Sequence, residues 1–142
     1  MPESVLERLR RTALGVFEGT AVVFAYLFGS HATGRARPDS DVDVAVYLDH
    51  EPDPDEALRI SFDLANRLEA ACRLGPVEVV VMNGAPLPLL GRILRERAVL
   101  WSRDEPTRVE FESLTFREFQ GFDFHARELT RARLRDIAEG RR

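Results

Sequence analysis

Eight consecutive residues, Ala21-Val22-Val23-Phe24-Ala25-Tyr26-Leu27-Phe28, run without a charge and end abruptly at Gly29-Ser30. β-Branched and aromatic side chains dominate the run. Its length suits a strand with both faces buried, because an alternating pattern appears only where one face meets water. It is far below the roughly 20 apolar residues of a membrane span, and no other segment comes closer. The N-terminus, MPESVLERLRR, lacks the basic-then-apolar order of a secretory leader. The expectation is a cytoplasmic protein that does not enter the membrane.

Elements of both kinds surround this strand. Leu6, Leu9, Ala13 and Val16 recur at helical spacing within 4–17. Residues 41–48 alternate, with Asp41, Asp43, Ala45 and Tyr47 on one face and Val42, Val44, Val46 and Leu48 on the other. A helix is expected over 55–74, burying Leu58, Phe62, Ala65, Leu68 and Cys72, and Gly75-Pro76 ends it. A third strand is expected over 77–82, a short helix over 87–97 and a last strand over 98–101. From about 107 to 138 the chain reads as helix, with Phe111, Leu114, Phe119, Phe122, Leu129 and Leu134 as buried positions and Gly121 as a bend. The order of elements predicts a small α/β (α+β) domain, a mixed β-sheet flanked by helices. We divide it into residues 1–104 and a C-terminal helical tail, 105–142.

Composition excludes some functions. The 142 residues carry a net charge of −4, with 20 arginines and no lysine. An acidic chain is a poor candidate for sequence-independent DNA binding, which depends on neutralising phosphates. One cysteine, Cys72, permits neither an internal disulfide nor a cysteine metal cluster, and its apolar neighbours mark it as core.

The chemistry is concentrated in Gly29-Ser30-His31-Ala32-Thr33-Gly34-Arg35-Ala36-Arg37-Pro38-Asp39-Ser40-Asp41-Val42-Asp43. Asp41 and Asp43 are two apart on a strand, so they share a face with backbones roughly 6–7 Å apart. Two carboxylates about 4 Å apart repel by about 4 kcal/mol at an intermediate dielectric. A hard divalent cation relieves that repulsion, and Mg²⁺ suits a site shared with phosphates. A bare Asp-x-Asp more often marks the wet face of an edge strand. The upstream Gly-Ser changes the balance. Glycine lets a phosphate approach the backbone, and N–H groups at a helical turn attract anions. On the strand 77–82, Glu78 stands opposite Val77, Val79 and Val81. A glutamate in such a strand needs solvent or a partner, and a metal beside Asp41 and Asp43 is such a partner.

The order Gly-Ser, three residues, Gly, five residues, Ser-Asp-x-Asp resembles the signature of the DNA polymerase β-like nucleotidyltransferase superfamily. Its wording and the small size are similar to the minimal nucleotidyltransferase (MNT) branch, which includes the antitoxins of HEPN/MNT pairs. The likeness extends through Val77-Glu78-Val79-Val80-Val81-Met82-Asn83 and Ala85-Pro86-Leu87 to Leu100-Trp101, so it covers about 20–102. Two positions depart from the branch. Glu78 stands where the family usually has Asp, and His31 and Thr33 stand where many minimal members carry arginines.

The resemblance implies a Mg²⁺-dependent transfer of AMP from ATP to a hydroxyl, a tyrosine of a partner HEPN ribonuclease toxin, with this chain as antitoxin. It implies catalytic and metal-binding roles for Asp41, Asp43 and Glu78 around a two-ion site. Gly29, Ser30, Ser40 and Arg37 are expected to hold the nucleotide. A homo- or hetero-oligomer is in keeping with so short a domain. Two other functions compete: transfer to a small molecule such as an aminoglycoside, and neutralisation of the partner by binding alone. Elsewhere, His50 reads as a solvated turn residue, His125 as a core or boundary histidine, and the arginines of 127–142 as a solvated helix face.

Overall fold

The computed structural model describes residues 3–138, with side chains through Gly121. Nine elements follow in order: α1 (Val5–Phe17), β1 (Val22–Phe28), α2 (Ser30–Thr33), β2 (Val42–Leu48), α3 (Pro54–Cys72), β3 (Val77–Val81), α4 (Leu87–Glu96), β4 (Ala98–Ser102) and α5 (Glu105–Ala138). Local chemistry sets the helix starts. The Ser4 hydroxyl accepts the Glu7 N–H at 3.1 Å, and the Asp53 carboxylate accepts the Glu56 N–H at 2.9 Å. Pro54 opens α3 where no intrahelical N–H is needed.

The four strands form one sheet in the order β3-β2-β1-β4. β1 pairs antiparallel with β2 and β4, whereas β2 and β3 run parallel. The expected mixed sheet is therefore present. All seven residues of β1 are buried, because helices cover both faces. On one face Leu9, Ala13 and Phe17 of α1 and Leu64, Leu68 and Cys72 of α3 pack on Val42, Val44, Val46 and Val79. On the other, Ile93 and Leu94 of α4 and Phe111 and Phe116 of α5 pack on Phe24, Tyr26 and Ala45. Each fully buried Leu or Phe contributes about 1.5–3 kcal/mol of transfer free energy.

The parallel pair is clamped at its far end. Asn83 accepts the Leu48 N–H at 2.8 Å and donates to the Leu48 carbonyl at 3.0 Å. Under α5 lies a polar network. The Tyr26 hydroxyl donates to Glu112 at 2.7 Å, and Arg97 and Arg108 bind the same carboxylate at 3.2 and 2.6 Å.

Some expectations are corrected. Leu58 and Phe62 are 57% and 63% exposed, because the buried face of α3 is the one carrying Leu64, Leu68 and Cys72. Leu114 is also exposed, whereas its neighbour Thr115 is buried. α5 continues as one helix through Gly121. The side chains of Phe122, His125, Leu129, Leu134 and the arginines of 127–142 lie outside the described residues.

Candidate active site

β1 delivers its last residue, Phe28, opposite Asp43 of β2, and Asp43 in turn lies opposite Glu78 of β3. Alternation does the rest. Val42 and Val44 point into the α1/α3 core, as do Val77 and Val79. Asp43 and Glu78 consequently emerge side by side on the opposite face. Asp41 sits one residue before β2 and is exposed, as is Glu78, while Asp43 is half-buried. Two of the three expected acids are thus in register on adjacent strands, and the third precedes them on the chain.

The turn after β1 is shaped around Asp43. Gly29 has φ 77° and ψ −160°, a conformation reserved for glycine. A Cβ built there would overlap the Asp43 carboxylate. α2 is a single turn, closed by Gly34 in the left-handed conformation. Ser30 heads it, half-buried. Ser40 and Arg37 are used partly by one another. The Ser40 hydroxyl accepts the Arg37 N–H at 2.7 Å, and the Ser40 N–H donates to the Arg37 carbonyl at 3.0 Å. That turn is anchored to α2 by His31, whose Nε2 lies 3.1 Å from the Ser40 carbonyl oxygen. The Arg37 side chain is exposed.

Electrostatics single out Asp43. Burial, and after it the Glu78 carboxylate, hold its carboxyl group above the ordinary carboxylate range. Asp41 and Glu96 push the same way, and the Arg92 guanidinium opposes them. The location therefore has uncompensated negative charge. Its donor set, carboxylate oxygen only, fits a hard divalent cation. Among the described residues no three His, Cys, Asp or Glu side chains already converge as a metal cage. Mg²⁺ does not require one, since it is commonly held by one or two carboxylates with substrate phosphates and water completing the shell. Asp43 with Glu78 or Asp41 meets that requirement.

Two residues escaped the sequence reading. On α4, Glu96 accepts the Gly29 N–H at 3.2 Å and pairs with Arg92 at 3.3 Å. An Arg–Glu pair at i,i+4 is an ordinary helix-surface ion pair, so nothing in the sequence distinguishes it.

A mixed four-stranded sheet with acids on its parallel pair and a Gly-Ser turn beside them has the architecture of a polymerase β-like nucleotidyltransferase domain. Residues 15–106 match the family model described as "Polymerase beta, Nucleotidyltransferase", and the chain belongs to that family. No curated protein matches the sequence. Among solved structures, a toxin–antitoxin crystallised with AMP-PNP is similar with a TM-score of 0.64 and 20% identity, over 91% of this chain and 98% of that one. A tri-AMPylated HEPN toxin from Shewanella oneidensis in complex with its MNT antitoxin gives 0.63 and 19%, over 94% and 99%. The toxin–antitoxin MntA-HepT gives 0.58 and 18%, over 92% and 97%. At such identities the likeness is one of fold. No helix among the described residues is long and apolar enough to cross a membrane.

Proposed function

We propose that this chain transfers AMP from ATP, with Mg²⁺, to a hydroxyl group of a partner HEPN-domain toxin and so acts as its antitoxin. The observation that carries the proposal is the register of Asp43 with Glu78 on one face of the sheet, beside a glycine turn that packs directly against the Asp43 carboxylate. Membership of the nucleotidyltransferase family supports the class of reaction. The neighbour crystallised with AMP-PNP supports an adenine nucleotide as donor, and the AMPylated HEPN toxin supports a protein acceptor.

In this reading Asp41 and Asp43 hold the cation, with Glu78 as a third oxygen donor. Bound Mg²⁺ supplies positive charge to the triphosphate and to the departing pyrophosphate. Glu78 is exposed on an edge strand, where an acceptor hydroxyl reaches it from solvent and can pass it a proton. Gly29, Ser30 and Ser40 border the triphosphate through backbone and hydroxyl donors, and Arg37, exposed on the adjoining turn, adds charge. Most of the rate enhancement comes from placement and charge compensation, as in other phosphoryl-group transfers.

The test is transfer of label from α-³²P-ATP to a HEPN protein co-purified with this chain, with Mg²⁺ and with EDTA. Mg²⁺-dependent labelling of a tyrosine supports the proposal. A stable, inactivating complex with no label under any condition refutes it and leaves neutralisation by contact.

A further inference from the structure

Glu96 is a carboxylate where a nucleotide site should least tolerate one. With Asp41 and Glu78 it is one of the carboxylates whose charge acts on Asp43, and Arg92 is the cation that opposes them. Two donors hold Glu96 in place, the Gly29 N–H at 3.2 Å and the Arg92 guanidinium at 3.3 Å. Both donors are of the kind that bind phosphate. The Arg92 guanidinium also lies 5.7 Å from the ring centre of Phe28, the residue before Gly29. That contact places it over the end of β1. Arg92 is half-exposed and Glu96 about a quarter exposed, so the pair opens to an incoming anion without disturbing the core residues Ile93 and Leu94 between them.

We propose that Arg92 is a triphosphate-binding residue and that Glu96 is its internal placeholder, occupying the Gly29 N–H and Arg92 until a polyphosphate displaces it. The proposal rests on the reading of this site as a nucleoside triphosphate site. Displacement exchanges one carboxylate for phosphate oxygens at both donors. It also removes a negative charge from the neighbourhood of Asp43 as the anion arrives. A nucleotide with a short phosphate chain gains little from the exchange, so the pair favours triphosphate over monophosphate.

The test is calorimetric titration of the full chain with AMP-PNP and with AMP, both in Mg²⁺. Glu96→Gln keeps an acceptor for the Gly29 N–H but removes the charge. It is expected to bind AMP-PNP about tenfold more tightly, with AMP little changed. Arg92→Gln is expected to weaken AMP-PNP about tenfold or more, again with AMP little changed, and Arg92→Lys to recover part of the loss. In the double variant the gain from Glu96→Gln shrinks, because one of the two donors it releases is gone. Equal effects on AMP-PNP and AMP, or no effect of either substitution in a chain that binds AMP-PNP, overturns the placeholder and leaves the nucleotide site standing. Failure of the wild type and every variant to bind AMP-PNP overturns both. Binding by Glu96→Gln alone supports the proposal.

Discussion

The Asp43 carboxylate occupies the space that a side chain at residue 29 would fill. Gly29 is buried, holds a positive φ of 77°, and has its Cα directed at Asp43. The glycine therefore does two things: it adopts a backbone conformation that L-residues avoid, and it vacates room for an acid. Gly29→Ala is expected to destabilise the fold by at least about 1–2 kcal/mol from backbone strain alone, and to displace Asp43 as well. Thermal denaturation should register the first effect, and loss of nucleotide transfer well beyond the loss of folded protein the second.

Asp43 and Glu78 should respond differently to substitution. Asp43→Asn leaves a side chain of the same shape and removes a charge that faces Glu78. Its thermal stability is expected to equal or exceed that of the wild type, while transfer falls by more than about a hundredfold. Glu78→Asp keeps a carboxylate one methylene shorter and is expected to lose less than Glu78→Ala, which is expected to lose about a hundredfold or more. Equal activity of Glu78→Ala and the wild type would remove Glu78 from the reaction.

The network beneath α5 predicts a purely structural effect. Glu112 is 8% exposed and receives Tyr26, Arg97 and Arg108. Burial, and after it the Glu112 carboxylate, hold the Tyr26 hydroxyl far above the ordinary phenol range, and the two arginines oppose them. Glu112→Ala strands the buried Tyr26 hydroxyl, whereas Arg108 keeps Glu105 and Arg97 keeps the Leu94 carbonyl, and it is expected to cost about 3 kcal/mol. Tyr26→Phe leaves the carboxylate with its arginines and should cost about 1 kcal/mol. Chemical denaturation of the two variants separates these values.

His50 confers a pH dependence on stability. Hydrogen bonds from its ring to Asp49, at 2.8 Å, and to Glu56, at 3.0 Å, favour the charged imidazolium and raise its pKa. The folded state thus holds the proton more tightly than the unfolded chain. The resulting stabilisation is complete below the unfolded pKa of about 6.5 and is lost as pH rises through the higher folded value. His50→Gln is expected to melt lower than the wild type at about pH 5.5 and to converge with it at about pH 8.5. Parallel melting curves at both pH values would show that His50 is uncoupled from folding.

The sheet was legible because its signals are local. An uncharged eight-residue run identified β1 as buried on both faces, and period-two alternation put Asp43 and Glu78 opposite the valines that enter the core. The face of α3 was harder to read. Leu58 and Phe62 fit a helical stripe with Leu68 and Cys72, but the sheet selects the neighbouring stripe through Leu64. Contacts between distant residues left no sequence trace. Tyr26 and Glu112 are 86 positions apart, and Gly29 and Glu96 are 67 apart. Before folding, a charge on a helix surface and one aimed at a turn look alike.

Because β2 and β3 run parallel, the chain between the two acids must travel the length of the sheet and return through α3. The spacing of Asp43 and Glu78 is set by the backbone ladder, and the clamp of Asn83 on Leu48 secures it from the other end. The 34-residue interval between them is therefore a tether rather than a ruler. Insertions or deletions at its exposed turns can accumulate over evolutionary time while the two carboxylates keep their distance, so recognisable chemistry outlasts recognisable sequence.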